Sequence, residues 1–135
     1  MNMNFVPVEL RTGVDAMDSQ HEHLFGQMAQ VKEAFLADVP DHEAGLVLMS
    51  RLVKDLDEHF HWEEQEARER GIAFESHTRE HAKIGAFVHA KIAEIKDGEC
   101  NIPALMVFME RCFENHVLHH DLKLGRALLP ADAVH

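Results

Sequence analysis

Apolar residues recur at three- and four-residue intervals in four separate stretches of this 135-residue chain, a period that fits helices and not strands. The first stretch, roughly 19–38, carries Leu24, Phe25, Met28, Val31 and Phe35 on one stripe and is broken by Asp38-Val39-Pro40-Asp41. The second, roughly 42–70, turns Leu46, Met49, Leu52, Val53, Leu56 and Phe60 inward, and Gly71 can stop it in the left-handed conformation. The third, roughly 75–96, does so with Ile84, Val88, Ile92 and Ile95, with Gly98 as its stop. The fourth opens around Pro103, which suits a first helical turn. It carries Leu105, Phe108, Met109, Cys112, Phe113 and Val117 and continues in some form to about Leu129. Four such helices with short connections predict an all-α fold, an antiparallel up-down four-helix bundle. It is expected as one domain over 1–135, with an irregular N-terminal arm of about 1–17, a bundle of about 18–129 and a loose tail from Pro130 to His135. The absence of tyrosine and the presence of only four prolines agree with helices over strands.

Charge narrows the function. Asp and Glu number 24 against 13 Lys and Arg, a formal charge of -11. Such a chain repels phosphate backbones, so nucleic-acid binding is not expected. No apolar run approaches the roughly 18–20 residues of a membrane span. Met1 to Leu10 shows no basic segment followed by an apolar one, so no secretory signal is read. Cys100 and Cys112 form no CxxC pair. A cytoplasmic setting is the simplest expectation.

The chain holds 12 histidines, and their phase is informative. Extending the first stripe backwards reaches His21. The second stripe runs on to His59 and Glu63, four apart and so one turn above each other. The third, extended backwards, meets His81 and His77. The fourth continues to His116 and then to His120 or Asp121. In an antiparallel bundle the start of the first helix, the end of the second, the start of the third and the end of the fourth share one end. The ionisable groups therefore converge. His23, His42, His61, His89 and His119 fall off the stripes and are expected in solvent, as is Glu66. Trp62 is expected at a helix contact.

Burying such a set without compensation costs several kcal/mol per unpaired charge. Metal ions supply the compensation. Five imidazoles and two carboxylates exceed what one four-coordinate zinc takes and suit two ions such as iron, with the carboxylates available to bridge them. His120 lies one regular turn past His116. Asp121 lies five residues past it, rotated about 140°, so it can join the site only if the helix loosens there or the side chain reaches. Ferritin-like diiron proteins use two ExxH motifs, whereas Glu58–His61 is the only one here.

The segments Asp18-Ser19-Gln20-His21-Glu22-His23-Leu24-Phe25, His59-Phe60-His61-Trp62-Glu63-Glu64, His77-Thr78-Arg79-Glu80-His81 and His116-Val117-Leu118-His119-His120-Asp121, with Gly13-Val14 ahead of them, resemble the hemerythrin family, in its single-domain bacterial type. The resemblance spans about residues 13–121. It implies a non-haem diiron centre with an oxo or hydroxo bridge. His77, His81 and His116 would hold one iron, His21 and His59 the other, and Glu63 and Asp121 would bridge them. The function it implies is reversible dioxygen binding, for transport, storage or delivery, at the iron that has only two imidazoles. Relatives commonly carry Met, Trp and Tyr-Pro where this chain has Ala67, Cys112 and Ile72-Ala73, with Phe108 and Phe113 placed to refill the space. That altered wall motivates an alternative: a diiron oxidase, peroxidase or nitric oxide-handling enzyme. A sensor of oxygen, redox state or iron, acting through a separate protein partner, is the third reading.

Overall fold

The computed structural model describes residues 5–129. The first four residues of the expected arm and the expected loose tail, 130–135, lie outside them. Among the described residues there is no strand. The helices are α1 (Asp15–Leu36), α2 (His42–Glu69), α3 (Glu75–Lys96), α4 (Ile102–His116) and α5 (Leu122–Leu128), with a π turn (Val117–Asp121) joining the last two. They form the antiparallel four-helix bundle, with α4, the π turn and α5 together making its fourth member.

Local chemistry explains the boundaries. Asp41 caps α2 by accepting the amide of Ala44 at 3.0 Å, and Asn101 caps α4 by accepting that of Ala104 at 3.1 Å. Gly71 and Gly98 follow α2 and α3 with φ of +66° and +72°. There the chain leaves the helix with Ile72 N–H donating to Ala67 O and Glu99 N–H to Glu94 O, both at 2.9 Å. α1 begins at Asp15, four residues before the expected start. Its opening is secured from inside, because Asp18 accepts Thr12 N–H at 2.7 Å, the Thr12 hydroxyl at 2.8 Å and Gly13 N–H at 3.1 Å. One turn on, Glu22 accepts Phe5 N–H at 2.8 Å and Val6 N–H at 3.0 Å. The arm is therefore ordered from Phe5, with a short 3-10 turn at Val8–Leu10. Val6 and Leu10 pack on Val117 and Phe25.

The main core joins Leu24, Met28, Val31 and Phe35 of α1 to Met49, Leu52, Val53, Leu56 and Phe60 of α2, Ile84, Val88 and Ile95 of α3, and Leu105, Met106, Met109 and Phe113 of α4. The expected stripes hold with one exception. Phe108 is 53% exposed, against Phe87 at 4.9 Å between ring centroids, while Met106, on the opposite flank of the α4 stripe, is buried. Phe25, Leu46, Ile92 and Cys112 are half-buried at the margin. The expected refilling by Phe108 does not occur. Ala67 is fully buried in a second cluster with Met17 and Leu124, and Trp62, Ile72 and Phe74 pack around it.

A close approach fixes α1 against α2. A Cβ on Gly45 would lie 2.5 Å from the Phe35 ring, whereas one on Gly85 would meet only Asp57 Oδ1, at 3.9 Å. We expect Gly45→Ala to destabilise the protein by about 1–3 kcal/mol through overpacking. Gly85→Ala should stabilise it by up to about 1 kcal/mol through helix propensity. Urea midpoints of the two variants check both signs.

Candidate metal centre

The end of the bundle where α1 starts and α2 ends collects the seven predicted residues. His21 comes from α1, His59 and Glu63 from α2, His77 and His81 from α3, His116 from the end of α4 and Asp121 from the π turn. All seven are buried, with Glu63 at 0% and Asp121 at 1% exposure. Their ligand atoms form two overlapping groups, each drawn within 4.8 Å. One is Glu63, His77, His81, His116 and Asp121. The other is His21, His59, Glu63 and Asp121.

The two carboxylates divide their oxygens between these groups. Glu63 Oε1 faces His81 Nε2 at 3.0 Å and His77 Nε2 at 3.7 Å, while its Oε2 faces His59 Nε2 at 3.4 Å. Asp121 Oδ1 faces His77 Nε2 at 2.9 Å and His116 Nε2 at 3.1 Å, while its Oδ2 faces His21 Nε2 at 2.9 Å. Each acid thus offers one oxygen to a three-imidazole half and one to a two-imidazole half.

Helix geometry accounts for Asp121. In a regular α-helix it would be rotated away from His116, but the five residues Val117–Asp121 wind as a π turn and return it to the same face. His120 belongs to neither group. It is half-buried, with its ring centroid 5.2 Å from those of His77 and His116. His23, His42, His61, His89 and His119 are exposed, as the phases predict. Glu66 reaches Arg70 at 3.3 Å, and Trp62 stacks on His59 at 6.4 Å between ring centroids.

Protein groups alone do not satisfy the site. Both ring nitrogens of His21, Nε2 of His59 and His81, Nδ1 of His116 and both oxygens of Glu63 are buried without an aligned hydrogen bond. Native interiors rarely leave so many orphans together, and bound ions are one way of meeting them. Imidazole nitrogens and carboxylate oxygens without thiolate suit an intermediate metal such as iron. The donor set present fits a pair of such ions.

The two acids are pushed in opposite directions. Burial raises the Glu63 carboxyl, and the neighbouring Asp121 charge raises it further. Burial also acts to raise Asp121, but contacts with the imidazoles of His116, His21 and His77 outweigh it and hold Asp121 well below the usual carboxylate range. Burial acts to lower His116, and Asp121 and Glu63 outweigh it and raise it. His59 is lowered to about 3 by burial and by the nearby His21.

Two residues that flank ligands in the sequence, Gln20 and Glu64, also meet the site. Gln20 contacts His59 Nδ1 through Oε1 at 2.5 Å, and Glu64 contacts His81 Nδ1 at 2.8 Å. Their signal was adjacency, since a polar residue next to a ligand lies at the flank of the same face. Phe60, read as core, also stacks flat on His81 at 3.9 Å between ring centroids.

His59 gives a pH dependence for the metal-free protein. Its folded value lies below the ordinary 6.5, so the unfolded chain binds a proton there that the folded one refuses. Its stabilisation is complete above pH 6.5 and is lost as pH falls from there towards 3. Between pH 7.5 and 5.5, the chelated protein should lose about 1 kcal/mol relative to a His59→Gln variant. Urea denaturation of the two at both pH values gives that difference.

Comparison with known proteins agrees with the fold. The chain superposes on a crystal structure of wild-type hemerythrin with a TM-score of 0.84 at 22% identity, over 95% of this chain and 98% of that one. It matches a crystal structure of a leucine-to-phenylalanine mutant equally well, at 0.84 and 23% identity, over 93% of this chain and 96% of that one. No curated protein matches. The family model described as the hemerythrin HHE cation binding domain matches residues 12–128, from the Thr12 contact that opens α1 to the last residue of α5. The chain belongs to the hemerythrin family.

Proposed function

We propose that this protein holds two irons and binds dioxygen reversibly, for transport, storage or delivery. The observation that carries this reading is the division of Glu63 and Asp121 oxygens between a three-imidazole and a two-imidazole half. In this reading His77, His81 and His116 hold one iron, His21 and His59 hold the other, and the two carboxylates bridge them. The iron pair supplies the two reducing equivalents on which reversible dioxygen binding depends. The half with two imidazoles has fewer protein donors, and an open position is what distinguishes a reactive site from a closed one.

The protein shapes access to that half. A cavity of about 10 Å³, room for about one small molecule, lies against His21 and His59 and also touches His116 and Asp121. Leu24, Phe25, Leu56, Phe60, Phe113 and Val117 line it. These side chains offer no hydrogen bond, so they disfavour water and admit a diatomic gas. The arm residues Val6 and Leu10 cover Val117 and Phe25 from outside. So small a cavity, apolar apart from the candidate ligands, favours gas binding over oxidation of an organic substrate. It accommodates nitric oxide by the same criterion. The free cysteines Cys100 and Cys112 accord with a cytoplasmic setting. No helix among the described residues is long and apolar enough to cross a membrane.

The test is to reduce the purified protein without oxygen, count its iron, admit air and follow the visible spectrum. We expect two irons per chain and a charge-transfer band that fades on deoxygenation. Rapid passage to a plain diferric spectrum would instead favour the oxidase reading. His77→Ala and Glu63→Ala should lose iron, while His89→Ala, altering an exposed residue paired with Asp57, should keep it. Equal iron content in all three would overturn the site.

A further inference from the structure

Two side chains beside ligands on one helix reach across to ligands on the next. Gln20 precedes His21 on α1, and its Oε1 meets His59 Nδ1 on α2 at 2.5 Å. Glu64 follows Glu63 on α2, and its Oε2 meets His81 Nδ1 on α3 at 2.8 Å. By contrast, Nδ1 of His21 and of His116 is buried without a hydrogen-bond partner. One imidazole is therefore held by a carboxylate and one by a neutral amide, and two lack such support.

The consequence follows from imidazole chemistry. A carboxylate accepts, so His81 must carry its proton on Nδ1, which leaves the Nε2 lone pair directed at the centre, where Glu63 Oε1 lies 3.0 Å away. Phe60 stacks flat against the same ring, so plane and tilt are both fixed. The Gln20 oxygen imposes the same tautomer on His59 without a charge. A negative acceptor draws the imidazole proton more strongly and makes the ring a better donor to a cation. Glu64 is only partly buried, its side chain 27% exposed, so water solvates the remainder of its carboxylate.

We propose that Glu64 and Gln20 are positioning residues that make the two halves of the centre inequivalent. Glu64 strengthens His81 as a donor and favours the higher oxidation state in the half containing His77, His81 and His116. Neutral Gln20 leaves the half containing His21 and His59 easier to reduce. This inference rests on the diiron reading above.

The test is a redox titration of the iron-loaded protein at an electrode, which supplies one electron to each iron. Glu64→Gln keeps an acceptor and removes the charge. It should raise one potential by about 59 mV, a tenfold change in that one-electron equilibrium. Gln20→Glu adds the charge on the other side and should lower the other potential by a similar amount. Wild-type potentials in both variants with two irons retained would overturn the inference and leave the dioxygen reading standing. A wild-type protein that binds no iron would remove both. Zinc affinity gives a reading free of redox chemistry. Glu64→Ala should bind zinc about tenfold or more weakly, with Glu64→Gln recovering part of the loss. Undiminished zinc binding by Glu64→Ala would also overturn the proposal.

Discussion

Two carboxylates, Glu63 and Asp121, sit in the interior with almost no exposure, and the arrangement around them is a response to that fact. Removing a charge from water costs several kcal/mol unless opposite charge and hydrogen bonds replace the lost solvation. Here the replacement comes from all four members of the bundle, because the five imidazoles are distributed over α1, α2, α3 and α4. No single helix could surround the two acids. The site therefore requires the bundle, and the apolar stripes that bring the helices together also set the height at which the imidazoles meet. Above this polar layer the core is ordinary, with Met49, Leu52 and Val31 at 0% exposure.

The split between the acids follows from their neighbours. Asp121 has three imidazoles within 3.1 Å and remains an anion. Glu63 has one imidazole that close, His81, and meets the Asp121 charge as well. A cation placed between them would favour the ionised form of both, which is why metal loading and protonation oppose each other at such a centre.

Most of the fold and all seven of these residues were legible in the sequence, because both depend on helical phase. The apolar period located the helices, and its continuation located His21, His59, Glu63, His77, His81 and His116. Asp121 required more. Periodicity left it level with His120, and only a family resemblance or a visible change of winding could decide between them. Phe108 misled for a simple reason. It lies on one flank of the stripe, about 60° from Leu105, and the buried face extends instead towards the opposite flank, where Met106 lies. Adjacency to a ligand marked Gln20 and Glu64, but which imidazole each meets depends on the distance between two helices, which no pattern along one helix carries. The hold of Asp18 and Glu22 on the arm was hidden in the same way. These carboxylates accept backbone amides, which every residue but proline carries, so no side-chain pattern announces them.

The π turn has a cost that extends beyond coordination. Its five residues forgo the regular hydrogen-bond ladder so that Asp121 can swing back beneath His116. Wound instead as an unbroken α-helix, the same residues would carry Asp121 about 140° away from His116. That winding would bring His120, one turn past His116, to the site's face in place of the carboxylate, and rotate every residue of α5 by about 100° against α1 and α2. Leu124 would leave its contact with Met17 and Ala67, and Gly125 would no longer lie under Thr12, where a Cβ would meet that side chain at 2.8 Å. The irregularity is thus a register device. It sets the rotational phase of the last helix as well as that of the acid, and the closure of this end of the bundle depends on one residue being absorbed in the winding.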